Sequence, residues 1–556
     1  MKLLRNALLA TASVTFLAAC GPAKMAKGMD PITEIHNLTE KKQALTEDQL
    51  KTWGFADLVQ DTIPGMSVDK AYNELIKDRE GKKVIVAVID SGIDIEHEDL
   101  KDVIWINKKE VAENGLDDDK NGYVDDVYGW NFLGDIVEEG MEYTRIIRKL
   151  KPKYEDADPT AIADMDEYKL YQDAVKEYEK DLSEAETSVN YFGQIIEGIT
   201  PLHETLTKEF GTDNYTSEQL EDYETADDDM KMQIQMLSFM MDRSGSNVSE
   251  ILEGLKEGKE YYQGRLDSHF NIEEDFRKDL GDDLYDLSDA YYGNNQVSGP
   301  DPKKADAKHG THVGGIIGAT RNNGIGINGV ADNVELMVLR AVPDGDEYDK
   351  DIALAIRYAV DNGASIINTS FGKYFATNPD WVWDAIQYAS DHDVLIVNAA
   401  GNDAYDLDTI QVYPNDIIID QNRIIGETFL TVGALNFEYG ENLLANFSNY
   451  GKTHVDVFAP GVQIYAPTPL DEYEFLGGTS MASPNVAGVA AVIRSHFPKL
   501  SAKQVKQVIM DSGLQPELDV ALGGDSTNKI PFKEASKSGR MVNLYNALIM
   551  AERLSK

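Results

Sequence analysis

The stretch Val84-Ile85-Val86-Ala87-Val88-Ile89, closed by Asp90-Ser91-Gly92, decides the fold. It is apolar, rich in β-branched residues and of strand length, the pattern of a strand covered on both faces in a parallel sheet. Asp90 then falls at the carboxyl end of that strand, where open α/β sheets gather their chemistry. Taken alone, Asp90 can also be read as a cap.

Two later stretches change that balance. His309-Gly310-Thr311-His312-Val313-Gly314-Gly315 opens a small-residue helical run from Ile316 to Ala319. Gly477-Gly478-Thr479-Ser480-Met481-Ala482-Ser483-Pro484 precedes the apolar run Val486 to Ile493, which fits a buried helix. A serine at such a helix start lies among unpaired N–H groups and the positive dipole end, which favour a developing oxyanion. Singly, Thr479 or Ser480 can be a cap and His309 a structural histidine. Together and in the order Asp, His, Ser, they supply an orienting carboxylate, a base and a nucleophile.

The chain resembles the subtilisin-like serine proteases. The three motifs stand as Val-Ile-Asp-Ser-Gly-Ile-Asp (88–94), His-Gly-Thr-His-Val (309–313) and Gly-Thr-Ser-Met-Ala-Ser-Pro (478–484). The likeness covers roughly 53–132 and 300–550. It implies a three-layer α/β domain with a mainly parallel sheet, built from 51–134 and 301–556. It also implies Ser480 as nucleophile, His309 as general base then acid, and Asp90 as its orienting partner. Ser370, Phe371 and Gly372, after the strand run Ile366 to Thr369, would form one wall of the substrate cleft. Ala399, Ala400 and Gly401 would form the other, with Asn402 as the oxyanion donor beside the Ser480 N–H. Asp456-Val457-Phe458-Ala459-Pro460-Gly461 is a further family-like turn. Asp99 and Asn323, within the loop Asn322 to Ile327, match positions where relatives hold structural calcium. No cofactor is expected for catalysis.

The 556 residues can bury a large core, and a formal charge of −45 argues against nucleic acid or anionic membrane surfaces as partners. Lys2 and Arg5 form a basic n-region ahead of the apolar stretch Ala7 to Ala19. Leu17-Ala18-Ala19-Cys20 resembles the bacterial lipoprotein box, with Cys20, the single cysteine, as the lipidated residue. The rival is an ordinary signal peptide with a chance cysteine. The expected layout is a signal peptide over 1–19, a polar tether over 20–50 without room for a prodomain, and lipid anchoring in the bacterial envelope.

Residues 135–300 carry 41 acidic and 16 basic side chains, a net of −25 (16 − 41). Tyr168, Tyr171, Val175, Tyr178, Leu182, Ala185, Val189, Phe192, Ile196 and Ile199 recur by threes and fours, predicting a long helix seeking a helical partner. Shorter stripes follow from Met230 and Leu252, so the segment reads as an inserted all-α hairpin or bundle. It lacks every residue named above for chemistry, so it is expected to select or gate protein substrates or to bind a protein partner. Its replacement by a short linker should then spare small-peptide hydrolysis. Upstream, Asp117, Asp119, Asn121 and Asp125 fit the opening of a calcium loop, but Tyr128 occupies the twelfth position. A calcium-stapled turn and a plain acidic turn both remain open. The reading is a membrane-anchored serine endopeptidase acting on proteins or peptides; its competitor is an idle surface lipoprotein whose helices bind a partner.

Overall fold

The computed structural model describes residues 25–26, 29–35, 38, 43–418 and 423–555. The expected signal peptide and Cys20 lie outside the described residues.

Seven strands form the central sheet: β1 (Val84–Asp90), β2 (Gly129–Asn131), β3 (Val334–Arg340), β4 (Ile366–Thr369), β5 (Leu395–Ala399), β6 (Phe429–Leu435) and β7 (Val457–Pro460). Their order is β7-β6-β5-β4-β1-β3-β2, and every neighbouring pair is parallel. Strand β1 alternates between two cores, which is why its sequence is apolar throughout. Val84, Val86 and Val88 face one core, with Val313 and Ile316 of helix α5 (Lys308–Gly318) and Val486 and Val489 of helix α8 (Thr479–His496). Ala87 and Ile89 face the other, with Ile352 of helix α6 (Asp349–Asp361) and Ile386 of helix α7 (Pro379–Asp391). The three-layer α/β architecture is therefore as expected. The chain runs from β1 to one edge, returns through β3 beside β1, and continues on the other side from β4. Asp90 thus lies at the reversal of strand order, where ligand crevices form in such sheets.

Between β2 and α5 the chain forms four long helices: α1 (Glu142–Tyr154), α2 (Met165–Phe210), α3 (Asp228–Ser244) and α4 (Val248–Asp267). At 46 residues, α2 extends about 69 Å. Its apolar stripe is divided between two small cores. Tyr171, Ala174 and Ala185 join α1 residues Tyr143, Ile146 and Leu150 and the nearby Phe270. Ile199, Leu202 and Leu206 join Ile234 and Leu237 of α3 and Ile251 and Leu255 of α4. The acidic side chains of α2, α3 and α4 lie off the buried stripes, whereas Glu142 of α1 is buried.

Candidate active site

Asp90 is 1% exposed, and its Oδ1 accepts from the Ser91 N–H at 2.8 Å and from His309 Nδ1 at 2.7 Å. The approach of α5 to the end of β1 depends on Gly310, where a Cβ would lie 2.1 Å from the Gly92 oxygen. The His309 side chain keeps 39% exposure. Burial disfavours its charged form, but the charge of Asp90 and the hydrogen bond to it outweigh burial, so its pKa is raised above 6.5. Because Nδ1–H donates to the carboxylate, Nε2 of the neutral ring is left with the lone pair. His312, in the same motif, is different. Its Nε2 donates to the Ile464 and Glu474 carbonyls at 3.0 and 3.1 Å, and burial pushes its pKa down to about 3.

Ser480 is the second residue of α8. Its hydroxyl donates to the Ser370 carbonyl at 3.1 Å, and the Ser370 hydroxyl donates to the Ser480 carbonyl at 2.9 Å. Ser370 connects the two halves of the site, because it also lines a cavity of about 810 Å³ shared with Asp90 and His309. The Asn402 Oδ1 accepts from the Thr479 N–H at 2.8 Å and from the Thr479 hydroxyl at 3.0 Å. That hydroxyl in turn accepts from the Gly401 N–H at 3.0 Å. Asn402 is thereby fixed by its oxygen, and its Nδ2 is left to donate elsewhere. The sequence offered Thr479 only as a cap; its grip on Asn402 lacks any local spacing signal.

The remaining cleft residues are spread over several surfaces. Gly372 lines a second cavity of about 1150 Å³ adjoining α2. Ala399 and Ala400 line a separate small one of about 30 Å³ with Ile410 and Val412. Phe371 packs against the core that contains Ile89. Gly401, at φ +100°, takes a conformation that suits glycine, and a Cβ there would meet Asn449 at 2.4 Å.

Of the residues named for metal, Asp117 and Asp119 come together, joined by Glu110, with one oxygen of each within 4.8 Å of the others. Glu110 is 9% exposed and its Oε2 is buried without a hydrogen-bond partner. Such an orphaned carboxylate oxygen beside two further acids suits a hard cation. Asp125 instead accepts from the Asn114 and Gly115 N–H groups, and the Asn121 amide donates to Asp126 at 2.8 Å. Glu110 escaped sequence reading because it precedes the loop motif. At the other candidate site the Asn323 Nδ2 donates to Asp99 Oδ1 at 2.6 Å, and the Ile327 N–H donates to Oδ2 at 3.3 Å.

Comparison with known proteins bears on the family of the chain. The profile of the subtilase family (Peptidase S8) matches residues 81–533. A thermophilic serine proteinase of Bacillus sp. (strain AK1) is 41% identical over 188 residues, 34% of this chain and 42% of that protein. Subtilisin-like protease 1 of Plasmodium vivax is 32% identical over 246 residues, 42% of this chain and 38% of its own length. Subtilisin DY of Bacillus licheniformis is 35% identical over 200 residues, 36% of this chain and 67% of that protein. The chain thus spans about two-fifths of the length of the first two relatives.

Proposed function

From the match that makes this chain a member of the subtilase family, we propose that it is a serine endopeptidase using Asp90, His309 and Ser480. The carrying observation is the 2.7 Å hydrogen bond between His309 Nδ1 and Asp90, at the end of β1 and open to a cavity shared with Ser370. In this reading the Ser480 hydroxyl leaves the Ser370 carbonyl and passes its proton to His309 Nε2 as Oγ attacks the substrate carbonyl carbon. The oxyanion accepts from the Ser480 N–H and Asn402 Nδ2, and His309 then protonates the departing amine. Water repeats the sequence on the acyl-enzyme: His309 takes its proton, and Ser480 is released. The resting bond from Ser480 to Ser370 is compatible with this, since catalytic hydrogen bonds often tighten only once substrate is bound. A fluorophosphonate probe should label the full chain and not Ser480→Ala; equal labelling of both would remove Ser480 from the mechanism.

Two structural attributes belong to the same proposal. Glu110, Asp117 and Asp119 would hold a calcium ion that fixes the loop following Ile104, supplying rigidity and no chemistry. Cys20 would carry the lipid that anchors the enzyme in the bacterial envelope. Cys20→Ser should then shift the protein from the detergent to the aqueous phase, and identical partitioning would refute the anchor. We assign the helices of 135–300, an insertion in this reading, to control of access to the cleft.

A further inference from the structure

The helical segment reaches into the candidate cleft at one cation. Arg265, in the last turn of α4, lines the cavity that holds Asp90, His309 and Ser370. It also lines the larger cavity running past Gly372 and α2, so the two spaces meet at its side chain. The side chain is held in place: Nε donates to His269 Nδ1 at 3.3 Å, and the guanidinium lies 5.3 Å from the centre of the Phe270 ring. Its two Nη groups have no hydrogen-bond or ion-pair partner among the described residues, which leaves free donors on a side chain that lines both cavities.

The other charged side chains lining the first cavity each have at least one partner, although Asp90 Oδ2 and Asp306 Oδ1 are buried without one. Asp90 binds His309, Asp306 pairs with Arg340 and Lys308 pairs with Glu474. Asp344 faces His269, while Asp301 and Asp346 accept backbone N–H groups. In the adjoining cavity α2 contributes Asp173, Glu177, Asp181 and Glu184 against Lys180, which is itself paired with Glu177. A substrate carboxylate is repelled along most of this path and attracted at one point. Asp344, beyond His269, feels the charge of Arg265 but makes no bond to its Nη groups. A guanidinium with free Nη groups in an acidic groove selects by position, because attraction at one site is set against repulsion elsewhere.

We infer that Arg265 is a specificity-determining residue, which selects peptides carrying a glutamate or aspartate at one position near the scissile bond. This rests on the peptidase reading above and adds a substrate class to it. The test uses the full-length protein and matched fluorogenic peptides with Glu, Gln or Lys at each position in turn. The wild type should cleave one Glu peptide about tenfold better in kcat/KM than its Gln twin, mainly through KM. Arg265→Gln should bring that ratio close to one, Arg265→Glu should favour Lys at the same position, and Arg265→Lys should keep part of the preference. Melting curves of each variant establish that it is folded, and the ratio rather than the rate is the readout. An unchanged Glu/Gln ratio in Arg265→Gln, or no Glu preference in the wild type, overturns the assignment while leaving the peptidase reading intact. A wild type that cleaves no peptide and takes up no fluorophosphonate overturns both.

Discussion

The Lys373 Nζ lies 3.2 Å from Glu142 Oε2, both side chains under 5% exposed, and so ties the first residue of α1 to the segment that follows Ser370 and Gly372. Lys373 also pairs with Asp349 at 2.9 Å, and Glu142 with Arg145. A buried charge stripped of one partner is costly, about 3–5 kcal/mol in comparable cases. Lys373→Ala should therefore lower stability by that order in denaturant melts and raise KM for small peptides, as the segment beside Gly372 loosens. Burial raises the Glu142 pKa, but Arg145 and Lys373 outweigh it and hold it below its ordinary 4.5. The stability it contributes is therefore complete above 4.5 and lost as pH falls through the depressed value. A Lys373→Ala protein as stable as the wild type would show that the pair is dispensable.

The oxyanion assignment makes a sharper kinetic demand. Asn402→Ala should lower kcat about 10²–10³-fold with little change in KM, because its Nδ2 would act on the developing charge rather than on the bound peptide. Thr479→Val should show a smaller kcat loss in the same direction, since it removes the hydroxyl that grips Asn402 and leaves the backbone N–H. Steady-state kinetics on one peptide checks both. An unchanged kcat in Asn402→Ala excludes the residue from the oxyanion hole.

The pH dependence follows from His309. Only the neutral ring can take the Ser480 proton, so the acid limb of kcat/KM should have its midpoint above 6.5, in the direction of the His309 shift. The stability term has the opposite course. The contribution of protonated His309 beside Asp90 is complete below 6.5 and fades as pH rises through the raised pKa. Asp90→Asn should move the acid limb downward along with its loss of rate. A limb that stays in place would detach His309 from Asp90.

How much of this could be read from the chain depends on the range of the interaction. Strand β1, α5 and α8 were legible because each carries its own signal: an unbroken apolar run, or glycines opening a small-residue helix. Asp90, His309 and Ser480 were named from those motifs, and the first two meet in a hydrogen bond across 219 residues. The heptad stripe likewise announced α2 as a long helix. The Lys373–Glu142 pair spans 231 residues and joins two charges of ordinary sequence setting. Arg265 and Glu110 are similar cases, since each acquires meaning only from what folding places around it. The acidic cluster was half legible: its motif found Asp117 and Asp119, but backbone contacts turn Asp125 away and Glu110 joins the other two instead.

That cluster gives a stability test that needs no substrate. Calcium should stabilise the full chain by about 2.7 kcal/mol once its concentration exceeds Kd a hundredfold, and so raise its melting temperature. Glu110→Gln should abolish most of that response. Without calcium the same variant should equal or exceed the wild type, because it replaces a carboxylate oxygen left buried and unpaired with a group that bears no charge. Titration calorimetry alongside melting curves would separate binding from stabilisation. A melting temperature indifferent to calcium would leave the loop a plain acidic turn.

Removing all of 135–300 now looks different from the way the sequence alone suggested. Such a cut takes Glu142 from Lys373, and it takes Arg277 from Asp351, which it meets at 2.7 Å. It should therefore cost stability and peptide hydrolysis together. The distal part can be separated, because its apolar core between Ile199 and Leu255 shares no residue with the proximal core around Tyr143 and Phe270. Phe192 of α2 stacks on Tyr262 of α4 at 6.0 Å, and it sits within contact distance of Gly258. The two helices are thus side by side at the level of Gly193 and Gly258. Replacing 194–257 with a few Gly/Ser residues should leave the proximal core, the Lys373–Glu142 pair and Arg265 in place. Small-peptide kcat/KM should then stay within about twofold, as expected for a change remote from the cleft. Cleavage of a folded protein substrate should change, rising if the distal helices obstruct entry and falling if they hold the substrate. Equal rates on both substrate types before and after the cut would deny the distal helices any part in controlling access.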